Sequence, residues 1–174
     1  DEALALARGG AKVLFEDAVR YARDHEVEIV AASTFGPGAG TRLTRGTSTV
    51  GRVVGVTGDA QLAAVTLGPD DAGLDEVVAS GGRVRQRFGD LLLVDLRNAH
   101  GGLPDSVRSE EASVVTAAGS ALGEQPLLVA GATRALRAAG IEVLGQGASG
   151  DHAWWRVPPD RLDDAVRAVH QTLV

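Results

Sequence analysis

From residue 61 onward the sequence runs through one pattern twice. In the first copy, residues 61–67 (QLAAVTL) read as a strand and GPDDAG as a turn. Residues 74–80 form a short helix closed by Gly81-Gly82, and residues 83–87 and 91–96 form two strands joined at Gly89-Asp90. In the second copy, residues 112–118 are a strand and GSALGEQ a loop. Pro126 suits the first turn of a helix, Leu128, Ala132, Ala135, Leu136 and Ala139 make its apolar stripe, and Gly140 ends it. Residues 141–146 and 152–157 are strands around GASGD. The closing stretch starts a helix with Asp160 as N-cap, Asp163 and Asp164 at its positive end, and Leu162, Val166, Val169 and Leu173 as the buried stripe. The pattern is βαββ followed by βαββα. It predicts an α+β fold of two ferredoxin-like modules, each an antiparallel sheet with helices on one face. The first is abbreviated, ending without the closing helix of the second.

Composition removes several function classes. Aromatic residues make up 3% of the chain, so Ala, Val, Leu and Gly must do most of the packing. The net charge is −6 and basic residues gather visibly only at Arg83, Arg85 and Arg87. Spacing of two puts those three on one face of a strand, at a solvated or partner-facing edge, and a nucleic-acid surface is not expected. With no cysteine, disulfides and thiolate chemistry are excluded. His25, His100, His152 and His170 lack metal-ligand spacing, so no metal is expected. There is no membrane-length apolar run and no signal peptide, which predicts a cytoplasmic protein without a membrane partner. The chain contains no methionine and opens on Asp1-Glu2-Ala3 as if inside a helix, which reads as a piece of a longer protein.

Ahead of the repeat, Leu14, Ala18, Tyr21 and His25 fall at helical spacing, with Glu16 and Asp17 where a helix start favours negative charge. Residues 27–32 read as a short buried strand, and FGPGAGTRLTRGTSTVG as turn and linker. That glycine-rich run lacks the GK[ST] ending of a phosphate loop. Lys12, just behind Gly9-Gly10, is the single lysine among 17 basic residues.

Read together, these stretches resemble the aspartokinases. GAKVLFEDAVRYARDHEVEIVAASTFGPGAGTRL is similar to the end of that family's kinase domain, which carries GAKVLHP and a turn of the type SFNPGPGTLI. GVTGDAQLAAVTL looks like the entry to its regulatory region, and GPDDAG like the loop before the first helix of its first ACT module. RAAGIEVLGQGASGDHAWWRVPPDRLDDAVRAVHQTLV resembles the end of the second ACT module. The match covers nearly the whole chain, although residues 80–110 carry little of it. The resemblance implies three parts: residues 1–45 as the end of an amino-acid kinase domain and linker, 46–108 as a shortened first ACT module, and 109–174 as a second.

It also implies a function. The parent enzyme would transfer the γ-phosphoryl of ATP to the β-carboxylate of aspartate, with feedback control by lysine or threonine bound at ACT modules that pair in a homodimer. Lys12 would contact ATP there, a compact ammonium suiting a phosphate oxygen; a stray exposed lysine is the plain alternative. The family's His-Pro is replaced by Phe15-Glu16, and its lysine-containing KFGG motif is absent, so the segment alone is expected to be inactive, with no cofactor of its own. The effector loop of the first module would be Asp70, Asp71 and Gly73, with Gln86 where the family often has an effector-contacting acid. The second module's counterpart would be Ser120 to Gln125, with Ser149 in the facing turn. Two carboxylates beside a helix start are also ordinary caps, and a hairpin serine is usually a turn residue. A structural assembly module without a ligand, or a stand-alone amino-acid sensor, remain open beside the regulatory reading.

One strand makes a geometric demand. In residues 152–157, Ala153, Trp155 and Val157 share one face, and His152, Trp154 and Arg156 the other. Helices on one face cannot cover both indoles. One tryptophan is therefore expected at a contact between subunits, or else against the first module of the same chain.

Overall fold

The structure, a computed structural model, describes residues 2–11, 14–36, 40–44, 46 and 50–174. Two short helices come first, α1 (Glu2–Arg8) and α2 (Glu16–Asp24), followed by a two-stranded ribbon of β1 (Ile29–Ala31) and β2 (Thr41–Leu43). The stretch expected as plain linker thus contributes a strand. β1 is not buried as expected: β2 is its one partner among the described residues, and Val30 is 52% exposed.

The repeat then follows. It runs β3 (Val53–Thr66), α3 (Leu74–Ala79), β4 (Arg83–Phe88) and β5 (Leu91–Asp95), then β6 (Arg108–Gly119), α4 (Pro126–Ala138), β7 (Gly145–Ala148), β8 (His152–Val157) and α5 (Leu162–Leu173). The two modules do not keep separate sheets. β3 and β6 pair antiparallel from Val53↔Gly119 to Thr66↔Arg108, fusing everything into one six-stranded sheet of order β4-β5-β3-β6-β8-β7.

Local chemistry explains the element ends. Gly140, at φ +67°, closes α4, and the amides of Gly140 and Ile141 donate to the carbonyls of Arg137 and Leu136. This C-terminal motif drops Ile141 into the core rather than into a strand, so β7 begins four residues later than the apolar pattern predicts. Asp160 makes no capping hydrogen bond and lies in a 3-10 turn, Pro159–Arg161. Arg161 instead ties the start of α5 to the end of α4 by donating to the carbonyls of Ala139 and Gly140.

One face of the sheet carries the helices. Val115, Ala117, Ala153, Trp155 and Val157 pack with Leu136 of α4 and Val169 of α5, while Ala63, Val65, Leu92 and Val94 pack with Val77 of α3. The other face is concave. In a flat sheet β4 and β8, four steps of about 4.8 Å apart, would be about 19 Å from each other. Yet the rings of Phe88 and Trp154 sit 4.8 Å apart, centre to centre, so the sheet curls on itself.

The alternation along β8 holds, and both tryptophans are buried inside one chain. Trp155 is wholly covered by the helices, its indole N–H donating to the Thr133 hydroxyl at 2.9 Å. Trp154 is 4% exposed among Leu62, Ala64, Leu93, Ala112 and Val114 on the concave face. Gly147 makes room for it, since a Cβ there would lie 2.7 Å from the indole ring. Curling supplies the cover that was sought in a partner subunit. Replacing either tryptophan by serine is therefore expected to destabilise the fold by roughly 3–5 kcal/mol, as for other large-to-small core changes, without altering the oligomeric mass. Urea unfolding with sedimentation checks this. A Trp154→Ser chain of full stability but lower mass would return that indole to a subunit contact.

Candidate functional site

Glu16 opens α2, but its carboxylate does not serve as a local cap. It turns back under α1 and is 6% exposed against the rim of the concave face. Oε1 accepts from Arg8 Nε at 3.0 Å, Arg20 Nη2 at 2.5 Å and Arg83 Nη2 at 2.9 Å, while Oε2 accepts from Arg85 Nη1 at 3.3 Å. The arginines come from α1, α2 and β4, so one carboxylate joins the amino-terminal helices to the sheet edge. Arg85 continues to Asp95 of β5 at 2.6 Å, Arg97 bridges Asp95 at 2.7 Å, and Arg97 also reaches Asp59 of β3 at 2.8 Å.

Electrostatics favour the charged forms of Glu16, Asp95 and Arg97. Burial is the largest single influence on Glu16 and pushes its carboxyl up, but Arg8, Arg83, Arg85 and Arg20 together hold it below the ordinary carboxylate value. Asp95 behaves likewise, burial being outweighed by the Arg97 amide and the guanidinium groups of Arg85 and Arg97. Arg97 is held protonated more firmly than usual, its burial overcome by Asp59 and Asp95.

The approach of α1 depends on Gly9 and Gly10. A Cβ on Gly9 would lie 2.8 Å from the side chains of Thr57 and Thr116, and one on Gly10 the same distance from Asp59. Gly10 also has φ +104°, which a side chain disfavours. Between α1 and the curled sheet a cavity of about 290 Å³ remains, lined by Arg8, Glu16, Arg83, Gln86, His152 and Trp154 among others.

The arginine trio does not share one face. A bulge between Val84 and Gln86 reverses the alternation, so Arg83 and Gln86 face inward and Arg87 faces the helices. Arg87 pairs with both carboxylate oxygens of Asp71, at 2.9 and 2.5 Å, and its hydrogen bonds hold that carboxyl below its ordinary value. Gln86 is apart from Asp70, Asp71 and Gly73, with its Nε2 3.3 Å from His152 Nε2 across the cavity.

Asp70, Asp71 and Gly73 form the turn before α3, with φ of +55°, +62° and +97°. No side chain caps α3. Gly68, Ala72, Gly73, Glu76 and Arg108 line a groove of about 420 Å³ beside this turn. The second module's turn is closed. The amides of Leu122 and Gly123 donate to the carbonyls of Gly150 and Ser149, and the Ser120 carbonyl accepts from Gly51. Ser120, Gln125 and Ser149 thus surround one turn, with the Gln125 carbonyl taken by the amides of Leu128 and Val129. Lys12 lies outside the described residues. Among the described residues no cluster of three or more His, Asp and Glu is placed to hold a metal, and no helix is long and apolar enough to cross a membrane.

The Glu16 network carries a stability test. Glu16→Gln is expected to cost about 2 kcal/mol, less than the ~3–5 kcal/mol of a fully buried pair because Arg8, Arg20 and Arg83 reach solvent. Glu16 and Asp95 have folded values below their ordinary 4.5 and 3.8, so the stability they add is present above those values and lost as pH falls through the lower folded ones. Urea unfolding along an acid series should show a shallower loss in Glu16→Gln than in the unaltered chain; identical slopes would remove Glu16 from the acid response.

No protein-family model and no curated protein matches the sequence. Solved structures do match the fold. The ligand-free regulatory subunit of aspartate kinase from Thermus thermophilus aligns with a TM-score of 0.56 at 19% identity, over 70% of this chain and 98% of that one. Aspartokinase III of E. coli, in its R-state complex with aspartate and ADP, aligns at 0.82 and 19% identity over 99% of this chain and 45% of that one. Its T-state complex with lysine and aspartate gives 0.70 at 19% identity, over 99% and 44%. This chain spans less than half the length of those kinase chains. At such identities the likeness speaks for architecture: the chain has the α+β fold of the carboxyl-terminal regulatory region of aspartate kinases, two ferredoxin-like ACT modules preceded by a pair of helices.

Proposed function

We propose that this chain is the regulatory region of an aspartate kinase, carrying in residues 1–45 the last part of the kinase domain. The observation that carries the reading is the fastening of α1 and α2 to the module sheet through Glu16, Arg83 and Arg85. A change in the modules' arrangement would be transmitted to α2 and to the neighbouring Lys12 segment without crossing a flexible linker. In the parent enzyme, ATP and L-aspartate would give 4-phospho-L-aspartate, with Lys12 at the nucleotide. The segment alone, with one lysine, would be inactive. The half-exposed β1 and the exposed rings of Phe15, Tyr21 and Phe35 suit cover by the rest of a kinase domain.

The effector, lysine or threonine, would bind at the groove beside Asp70, Asp71 and Gly73, at modules paired in a cytoplasmic homodimer. This turn is favoured over the second because its groove is open, whereas the amides of Leu122 and Gly123 already serve the hairpin. A second reading has its own support. Asp71 is already bound by Arg87, which suits an assembly module without a ligand.

Calorimetry separates the two. One of lysine or threonine should bind the chain, and Gly73→Val, forced to φ near +97°, should weaken that binding by about tenfold or more while the chain stays folded. Unchanged affinity in Gly73→Val would move the site to the second turn. No heat with either amino acid would leave the assembly reading.

A further inference from the structure

The cavity between α1 and the concave sheet is a separate place from the groove beside Gly73; the regulatory reading uses Glu16, Arg83 and Arg85 in its wall but not the space they enclose. At about 290 Å³ it falls near the lower end, roughly 300 Å³, of small-ligand sites, which is metabolite-sized. Its lining is divided. Leu62, Leu93, Val114 and Trp154 form an apolar floor, while Arg8 and Arg83 stand partly exposed beside the opening.

The polar lining is biased toward an anion. Three arginines, Arg8, Arg83 and Arg85, face two carboxylates, Glu16 and Asp59. Asp59 is matched by Arg97 from outside the cavity, and its second oxygen accepts from the Gln61 amide. Both oxygens of Glu16 already accept from arginine. An incoming ammonium would meet only carboxylates already paired with arginine, in a lining where guanidinium groups outnumber carboxylates three to two, which disfavours a further cation. Arg8 and Arg83 are in the opposite position. Each gives Glu16 a single N–H, from Nε and Nη2 respectively, and a guanidinium has five. The remaining donors can take a carboxylate in charge-assisted geometry.

We propose that this cavity binds a small monocarboxylate with an apolar body and no amino group, such as a branched short-chain acid. Its carboxylate meets Arg8 and Arg83, and its hydrocarbon part points toward the narrow edges of Trp154, Leu62 and Leu93 that remain open to the cavity. Gln86 and His152, 3.3 Å apart, close the far wall. The ligand would therefore touch α1, β4, β5 and β8 at once, the elements that the Glu16 network and the curl bring together.

The two tryptophans make the test selective, because Trp154 faces the cavity and Trp155 the helices. The 174-residue chain, labelled at its indole nitrogens, would be titrated with 4-methylpentanoate, leucine, 3-methylbutylamine and 3-methylbutanol, with Trp154→Phe assigning the signals. 4-Methylpentanoate should shift the Trp154 indole saturably and leave that of Trp155 in place. Arg83→Gln should weaken binding by about tenfold, the loss of one charge-assisted contact. Gln86→Trp, on the inward face of β4, should block it in a folded chain, and Arg87→Gln on the helix face should change nothing. No saturable shift with 4-methylpentanoate overturns the proposal, as does equal binding of the amine, the alcohol or leucine. So does full affinity in folded Gln86→Trp. Binding of lysine or threonine beside Gly73 is read separately by calorimetry, so neither result decides the other.

Discussion

A carboxylate with almost no access to water can remain charged only where donors surround it. Glu16 meets that condition because α1, α2 and β4 converge on it, each delivering arginine. Leaving the anion without partners would cost more than any one of its hydrogen bonds contributes, so the three elements are held as a set. Arg85 and Arg97 extend the set through Asp95 to Asp59, which ties β4 and β5 to the long central strand β3. The amino-terminal helices therefore do not hang from the modules by a tether. They form one wall of a charged interface whose other wall is the sheet.

That interface exists because the sheet is single and curled. Fusing two modules through β3 and β6 gives one concave face instead of two open ones, and the curl carries Phe88 onto Trp154 from the far side. Small residues permit the close approaches: Gly147 under the indole and Gly9 against Thr57 and Thr116. A chain with 3% aromatics covers much of its inner face with backbone and aliphatic residues brought near by curvature. The remaining gap is lined by charge on one side and hydrocarbon on the other.

How far the sequence revealed this differs from element to element. The twofold pattern, Pro126, Gly140 and the stripe of α5 predicted architecture correctly because each acts within a few residues of itself. The split between Trp154 and Trp155 was equally legible, but what covers Trp154 depends on sheet curvature, which no local pattern encodes. Arg83, Arg85 and Arg87 were misread as one face because a bulge at Val84 and Gln86 changes the parity. Glu16 looked like an ordinary residue for a helix start. Its one visible signal was its place beside Phe15, where the resembled family has His-Pro, and its partners on the sheet, Arg83 and Arg85, lie 67 and 69 residues away.

The two module turns differ in detail although the pattern around them repeats. Both leave a strand, pass through residues of positive φ and enter a helix. In the second, the β7–β8 hairpin reaches over and its carbonyls satisfy the amides of Leu122 and Gly123. In the first, β4 and β5 are joined at Gly89-Asp90, whose carbonyls accept from Arg87 and from the Leu67 amide, while the Gly68 and Ala72 amides are met within the turn itself. The first module has no second helix among the described residues, so its strands are free to curl toward β8 and to present Arg83 and Arg85 to Glu16. What the first module lacks in length is what allows it to hold the amino-terminal helices.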